Sequence, residues 1–313
     1  MRPGVYPAAV TVVSLWLLLG VVQTCAPATE TSDPQADAST WKRTTLFDGK
    51  GYAWLHAAYQ VSDGYVVVGG DDGKGLLIKL DGDGVKQWVR RYSYTLHDNL
   101  YGAKEARDGG YILAGMASGE GENEGLLVKT SPDGKEQWHR LFRGRCNRLY
   151  GVDETEGGYV LAGSTTGNAL GYVFTTDAKG RVIADAAFGT GGFLNVFNSV
   201  RHIDGGFLVQ GTTDAGAGRR GWVVELDHAL RPRREKVYED DRPLHLSSSL
   251  PVPTGGWLLA GMVYSDGYRA RLMKVSTSAP NEGITSARES GRCPLRRCGC
   301  RRRWRRCMGS GRD

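Results

Sequence analysis

Cysteine is scarce over most of this 313-residue chain, because Cys25 and Cys146 stand alone and the other four cysteines lie together after residue 290. A disulfide framework therefore cannot hold the body of the protein together. Histidine pairs at helical spacing are missing, and so is a G-x-S-x-G turn. These absences exclude, as motifs, helix-borne zinc sites and the nucleophile elbow of serine hydrolases. We predict no bound cofactor and no metal centre.

No apolar run reaches the roughly 20 residues that span a bilayer core. The longest, residues 8–22, has fifteen residues and follows Arg2, which is typical of the core of a secretory signal peptide. Two exit signals then overlap. The segment VQTC resembles the lipobox of bacterial lipoproteins, whose cysteine is acylated, although Thr24 departs from that pattern. Residues 26–28, Ala-Pro-Ala, form an A-x-A site for simple secretion instead.

Export is expected whichever signal is used. We predict that residues 1–25 are a signal peptide or a lipoprotein signal, and that Cys25 is the lipidation site in the second case. Residues 26–39 are rich in Pro, Thr, Ser and Ala and lack apolar periodicity, which indicates a flexible tether. The protein is then a cell-envelope lipoprotein with a membrane anchor, or it is secreted; an uncleaved N-terminal anchor is the third alternative.

Net basic charge is absent outside the C-terminal segment. The chain carries +6, but ten arginines and two acidic residues between positions 287 and 313 give that segment +8, which leaves −2 for the rest. The body thus lacks the electrostatic footprint of a nucleic-acid-binding protein, and no nucleic-acid partner is predicted. Residues 280–313 have no regular periodicity, so we expect an unstructured tail. Its abrupt composition is typical of out-of-frame translation, and a basic arm for an acidic surface is the alternative.

Repetition dominates what is present. The stretch DGGYILAG at residues 108–115 recurs, with small changes, at 63, 156, 204 and 254, and its aromatic residue repeats at intervals of 46 to 50. A period of this size indicates stacked supersecondary units. Each aromatic residue is followed four positions later by a glycine, which we interpret as the boundary of a short buried strand. These glycines are Gly69, Gly115, Gly163, Gly211 and Gly261.

Each unit reads as four strands joined by Gly- and Asp-bearing turns, for example LYGAKEA, YILAGM, GLLVKT and EQWHRLF within residues 100–142. A single four-stranded sheet leaves both faces and both edges exposed, so the units must stack on one another. We therefore predict an all-β protein over residues 40–279, a β-propeller of about five four-stranded blades. The stretch TWKRTTLF at 40–47 matches the fourth strands, so we expect an N-terminal strand to close the ring.

The repeats resemble those of bacterial exported β-propeller repeat proteins over residues 40–279. More distantly, they resemble the tryptophan-docking repeats of pyrroloquinoline-quinone-type propellers, because Trp88 and Trp138 each follow an Asp-Gly turn by four residues. This resemblance implies the fold. It implies little about activity, since such repeats accompany many functions.

Candidate ligand-binding residues fall in or near the predicted first strand of each unit, which lines the central channel of a propeller. They are His56, Tyr101, Tyr150, Phe197 and His245. Together they could form a polar and aromatic mouth for a ligand, although packing between blades would also explain them. Lys79, Lys129 and Lys274 repeat at one position of the third strand, which we interpret as a solvated strand face. Asp81 to Gly84 resembles the start of a calcium loop but lacks the downstream glutamate, so a hairpin turn is expected there.

No set of residues that could act together in catalysis is visible in the sequence. The function favoured by the sequence is therefore that of an exported, monomeric binding or scaffolding propeller that holds a protein or a glycan. The alternative is a propeller-type hydrolase or lyase that acts on polysaccharide at the channel mouth. Acidic residues converging on the channel would favour the enzyme, and a mouth without them would favour the binding protein.

Overall fold

A computed structural model describes residues 52–119, 121–167, 170–189, 194–214, 218–238, 243–252, 255–265, 267–275 and 285–286. The predicted signal (1–25), the tether (26–39), the predicted closing strand (40–47) and most of the tail (280–313) lie outside this part of the chain. Within it every regular element is a β-strand. It contains no helix that is long and apolar enough to cross a membrane.

The prediction of an all-β propeller with five four-stranded blades is confirmed: in the described part of the chain, twenty strands form five antiparallel sheets, each built from four strands consecutive in sequence. The blades are, in order, β1 (Ala53–Val61), β2 (Gly64–Asp71), β3 (Lys74–Leu80) and β4 (Lys86–Tyr92); β5 (His97–Glu105), β6 (Tyr111–Ser118), β7 (Asn123–Thr130) and β8 (Glu136–Phe142); β9 (Cys146–Glu154), β10 (Gly158–Thr165), β11 (Gly171–Asp177) and β12 (Val182–Phe188); β13 (Val196–Ile203), β14 (Gly206–Asp214), β15 (Arg219–Asp227) and β16 (Pro232–Tyr238); and β17 (Leu244–Pro251), β18 (Trp257–Ser265), β19 (Gly267–Val275) and β20 (Thr285–Ser286).

Hydrophobic clusters between the sheets hold consecutive blades together. Four clusters each combine residues of two neighbouring blades, from blades one and two through to blades four and five. A fifth cluster, around Val67, Leu76 and Ile78, contains residues of blade one alone. On the far face of blade five, Leu272 is 41% exposed, whereas its counterpart Leu127 in blade two is fully buried. The described residues therefore share no core cluster between blade five and blade one.

The glycine four residues after each repeat aromatic lies inside the second strand, not at its boundary. A Cβ atom there would collide with a backbone carbonyl oxygen of the first strand in the same blade, for instance that of Asn99 at Gly115 and that of Arg148 at Gly163. The same contact occurs in all five blades. Close approach of the two backbones, rather than a turn, therefore explains why this residue is glycine.

Tryptophans of the fourth strand join blade one to blade two and blade two to blade three. The ring of Trp88 packs on the turn between the third and fourth strands of blade two, where a Cβ on Gly134 would lie 2.7 Å from it. Trp138 packs in the same way on Gly180 of blade three, at 2.8 Å. These contacts match the tryptophan docking that the sequence suggests. A glycine with φ near +75° serves both the turn and the approach of the ring.

The contact between blades three and four reverses this arrangement. Ala184 stands where the tryptophan would be, and Leu230 stands at the turn position that is glycine in the preceding blades. Leu230 keeps the turn conformation, with φ of 60°, and its side chain is only 3% exposed. It belongs to the same hydrophobic cluster that Ala184 packs against. A large side chain thus fills the space from the opposite side, which preserves the packed volume of the contact.

Candidate functional site

A β-bulge interrupts the first strand of every blade at the same place. In each blade, two consecutive residues of the second strand pair with first-strand residues that are two positions apart. The first-strand residue between them therefore has no partner. First strands of consecutive blades contact one another, so they surround the central channel. Bulges redirect a side chain out of the regular alternation. The five bulged residues, which we call the channel ring, are His56, Tyr101, Tyr150, Asn198 and Ser247.

Three of the five residues predicted at the channel mouth are members of the channel ring: His56, Tyr101 and Tyr150. Phe197 lies one position earlier than the bulge, is fully buried, and stacks on Trp222 with ring centroids 4.4 Å apart. His245 lies two positions before the bulged Ser247. The structure therefore places Asn198 and Ser247 at the bulge positions of blades four and five, where the prediction has Phe197 and His245.

Spacing from the motif glycine narrows each position to two neighbouring residues. Each bulged residue precedes the glycine of its own blade by 13 or 14 residues, for example Asn198 before Gly211 and Ser247 before Gly261. The predicted set followed residue type and approximate strand position instead. A one-residue shift in a strand turns a side chain to the opposite face, so an approximate position is insufficient.

The aromatic members of the channel ring form a continuous series across three blades, which we call the aromatic ladder. The rings of His56 and Tyr101 have centroids 4.6 Å apart at an angle of 56°. Those of Tyr101 and Tyr150 are 5.0 Å apart at 44°. Both distances fall in the range of favourable aromatic pairs. His56 is exposed and the two tyrosines are half-buried, so the ladder presents ring surface to solvent.

The imidazole of His56 is neutral at pH 7. Burial against the channel wall lowers its pKa to about 4, although part of the ring remains in contact with solvent. A neutral imidazole offers one donor and one acceptor nitrogen beside the ring of Tyr101. The ladder therefore combines apolar ring faces with hydrogen-bonding groups at their edges.

Hydrogen bonds fix the other side of the channel ring. The Asn198 amide donates to the carbonyl oxygen of Leu246 at 2.7 Å, which connects blades four and five. His245 lies beside it, with Nδ1 2.9 Å from the hydroxyl of Thr212. Burial, with a smaller contribution from the charge of Arg219, lowers the pKa of His245. His245 thus serves as a neutral partner within the wall, next to the residue that faces the channel.

Carboxylates at the other end of the first strands are bonded to neighbouring blades. They line an open cleft of about 500 Å³. Asp153 accepts from Lys104 at 2.9 Å and from the backbone N–H of His202 at 3.0 Å. Glu105 accepts from the backbone N–H of Ser62 at 2.7 Å. The neighbouring Glu154 accepts from the backbone of blade two at 3.0 Å. These acids act as ties between blades, which accounts for their positions without a catalytic role.

The interpretation of the repeated lysines as a solvated face is wrong for two of the three. Lys79 and Lys129 are each only 4% exposed. Their ammonium groups pair with the aspartate of the first turn in the same blade, at 2.8 Å to Asp63 and 2.7 Å to Asp108. Backbone carbonyls accept their remaining hydrogens. These aspartates begin the repeated Asp-Gly motif, so the pair anchors the first turn to the third strand. Lys274 is exposed, as the solvated face requires.

Other candidate chemistry in the described residues is structural. Burial raises the pKa of the Cys146 thiol to about 12, so it remains protonated and unreactive at neutral pH. The carboxylate of Asp81 accepts from the backbone N–H groups of Asp83 and Val85, which is an ordinary Asx-type turn, as expected. No cluster of three metal-ligating side chains occurs within the described ranges.

No family model matches the sequence, and no curated protein matches it. Among solved structures, hydrazine synthase of Kuenenia stuttgartiensis is similar with a TM-score of 0.51 and 10% identity, over 71% of this chain and 63% of that one. This chain therefore spans less than two thirds of that protein. The β-propeller domain of Cps50 (Swd1) from Myceliophteria thermophila gives 0.48 and 12%, over 78% and 72%. A glycosyl hydrolase from Bacteroides ovatus gives 0.42 and 10%, over 74% and 85%. The first likeness supports the propeller fold alone.

Proposed function

We propose that this protein is an exported binding propeller that holds a glycan against the aromatic ladder. The observation that supports this function is the ladder itself: three rings from three blades, placed by equivalent bulges and left open to solvent. Ligand sites combine apolar and aromatic surface with a few placed polar groups. The C–H faces of sugar rings are apolar and their edges carry hydroxyls, so they complement such a surface.

The state of the carboxylates favours binding over hydrolysis. A glycoside hydrolase needs two carboxyl groups available to the scissile bond. In the described part of the channel wall, Asp153 is neutralised by Lys104 and bonded to blade four. Glu105 and Glu154 hold the first turns of the preceding blades. Freeing any of them would break a contact between blades, so we assign the proposed activity to recognition.

Export and anchoring complete this proposal. A lipid on Cys25, followed by the tether at 26–39, would hold the propeller near the membrane and leave the channel ring accessible to envelope glycans. The alternative, secretion after cleavage at residues 26–28, would release the same binding domain. A monomer is sufficient for either arrangement, since the ladder is built within one chain.

We also propose that residues 40–47 complete blade five and close the ring. β20 pairs with only Met273 and Lys274 of β19, whereas the fourth strands of the other blades pair over six residues. The TWKRTTLF segment would form the longer strand in place of β20. Its Trp41 corresponds to Trp88 and Trp138. Among the described residues the matching turn in blade one is open, because a Cβ on Gly84 would meet none of their atoms within 4 Å.

Substituting the ladder tests the glycan-binding function. On an array of neutral and acidic oligosaccharides, we expect the wild type to bind, and we expect Tyr101→Ala and Tyr150→Ala each to weaken binding by about tenfold or more, as for central aromatic contacts. The control is Tyr52→Ala, which removes an aromatic side chain that is 79% exposed and lies outside the ladder. Failure of the folded wild type to bind any oligosaccharide would refute the proposed function.

Lipidation is tested by mass spectrometry after expression in a bacterial host. We expect the wild type in the membrane fraction with acyl chains on Cys25, and we expect Cys25→Ala to lose both the acyl chains and the membrane association. Cys146→Ala is the matched control, because this cysteine is fully buried in the propeller. An unmodified wild-type protein in the soluble fraction would rule out the anchor and leave simple secretion.

Ring closure is tested by chemical denaturation of the full chain. If Trp41 packs on the turn at Gly84, Trp41→Ala lowers the free energy of unfolding about as much as Trp88→Ala does, by up to about 3 kcal/mol, since both remove an indole from a contact between blades. The closure proposal fails if Trp88→Ala destabilises the protein while Trp41→Ala leaves its stability unchanged.

A further inference from the structure

An arginine lies beside the aromatic ladder, on the first strand of blade three. Arg148 occupies β9, two residues before the bulged Tyr150. Its Nη1 donates to the hydroxyl of Tyr150 at 3.4 Å. It is also close enough to Tyr101 for its charge to lower the pKa of that phenol, which burial raises overall. The guanidinium therefore borders both tyrosine rings of the ladder.

The charge of Arg148 is not neutralised within the described part of the chain. No carboxylate there pairs with it, and its buried Nε has no hydrogen-bond partner. Arginine is always charged, and a half-buried cation without a counterion is costly. Other arginines differ in this respect: Arg91 pairs with Asp71 at 2.6 Å, and Arg107 lies 3.8 Å from Glu154. Such an unpaired cation next to an open aromatic surface is suited to an anionic ligand.

Further along the first strands the positive charge continues. Arg201 is half-buried on β13, and its Nε also has no partner among the described residues. It occupies the position of its first strand that Tyr59 occupies in blade one, three residues after the bulge, and its charge lowers the pKa of that phenol, which burial raises overall. The acid at the equivalent position in blade three, Asp153, is neutralised by Lys104. Arg148 and Arg201 are thus two first-strand arginines that pair with no carboxylate among the described residues, and such charges attract anions.

We propose that the ligand of the aromatic ladder is an acidic glycan whose sugar carboxylate pairs with Arg148. This inference rests on the proposed glycan-binding function and specifies its chemistry. The sugar rings lie against Tyr101 and Tyr150, and the carboxylate accepts hydrogen bonds from the guanidinium. The planar fork of arginine matches a carboxylate, and charge-assisted pairs of this kind are stronger than neutral hydrogen bonds. Arg201 attracts the next acidic unit along the channel.

Two oligosaccharides that differ only in charge test this proposal. Trigalacturonic acid is the acidic probe, and the trisaccharide obtained by reducing its carboxyl groups is the neutral probe. Affinities of the full chain are measured by titration calorimetry at low and at high salt. The variant is Arg148→Gln, and the matched control is Arg143→Gln, whose side chain is 78% exposed on blade two.

We expect the wild type to bind the acidic probe at least tenfold more tightly than the neutral probe, with a preference that declines as salt screens the charge. Arg148→Gln should remove this preference by weakening the binding of the acidic probe much more than that of the neutral probe, whereas Arg143→Gln should leave both affinities unchanged. Equal binding of the two probes, or full retention of the preference in Arg148→Gln, would overturn the acidic-glycan inference while the glycan-binding function stands. If the folded wild type binds neither probe and no oligosaccharide on the array, the glycan-binding function itself is overturned.

Discussion

The close approach of two backbones in every blade is the constraint on which the rest of the structure depends. The motif glycine of the second strand leaves room for a carbonyl oxygen of the first strand. The bulged residue lies two positions after the residue that carries this carbonyl. The bulge then turns one side chain out of the sheet alternation and toward the channel. Repetition of one glycine therefore produces both the propeller module and the ring of side chains at its centre.

Contacts between blades vary more freely than this inner geometry. An indole against a turn glycine holds blades one to three together, and an alanine against a turn leucine performs the same task between blades three and four. Packed volume is conserved while the residues that supply it exchange sides. This exchange explains why the tryptophan pattern fades along the sequence although the blades remain equivalent in the fold.

Much of the fold could be predicted from the sequence, because the repeated motif and its turn residues report local structure directly. Five blades of four strands follow from the period and from the glycine-bearing turns. The channel positions are harder to predict: His56, Tyr101 and Tyr150 occupy bulges, whereas Phe197 and His245 lie one and two residues before them. A bulge shifts the alternation by one residue, and nothing in a single strand sequence marks where it occurs.

The burial of charged side chains also could not be predicted from local sequence pattern. Lys79 and Lys129 repeat at an alternating position that is typical of a solvated face, yet each is buried because an aspartate of the neighbouring turn neutralises it. Likewise, the proposed role of Arg148 in binding depends on its having no carboxylate partner among the described residues. This can be seen only when the blades are assembled. Electrostatics of this kind arises from residues that are distant in sequence, so a linear pattern does not contain it.

The most direct test of this account is the free energy of unfolding of Gly163→Ala, measured beside Gly119→Ala. The first change places a methyl group against the carbonyl oxygen of Arg148, and the second places it where no atom of the described residues lies within 4 Å. The account predicts a loss of about 1–3 kcal/mol or more for Gly163→Ala, as for an overpacked core, and almost none for Gly119→Ala. Equal stability of the two variants would contradict the claim that the motif glycine shapes the bulged strand and the channel ring.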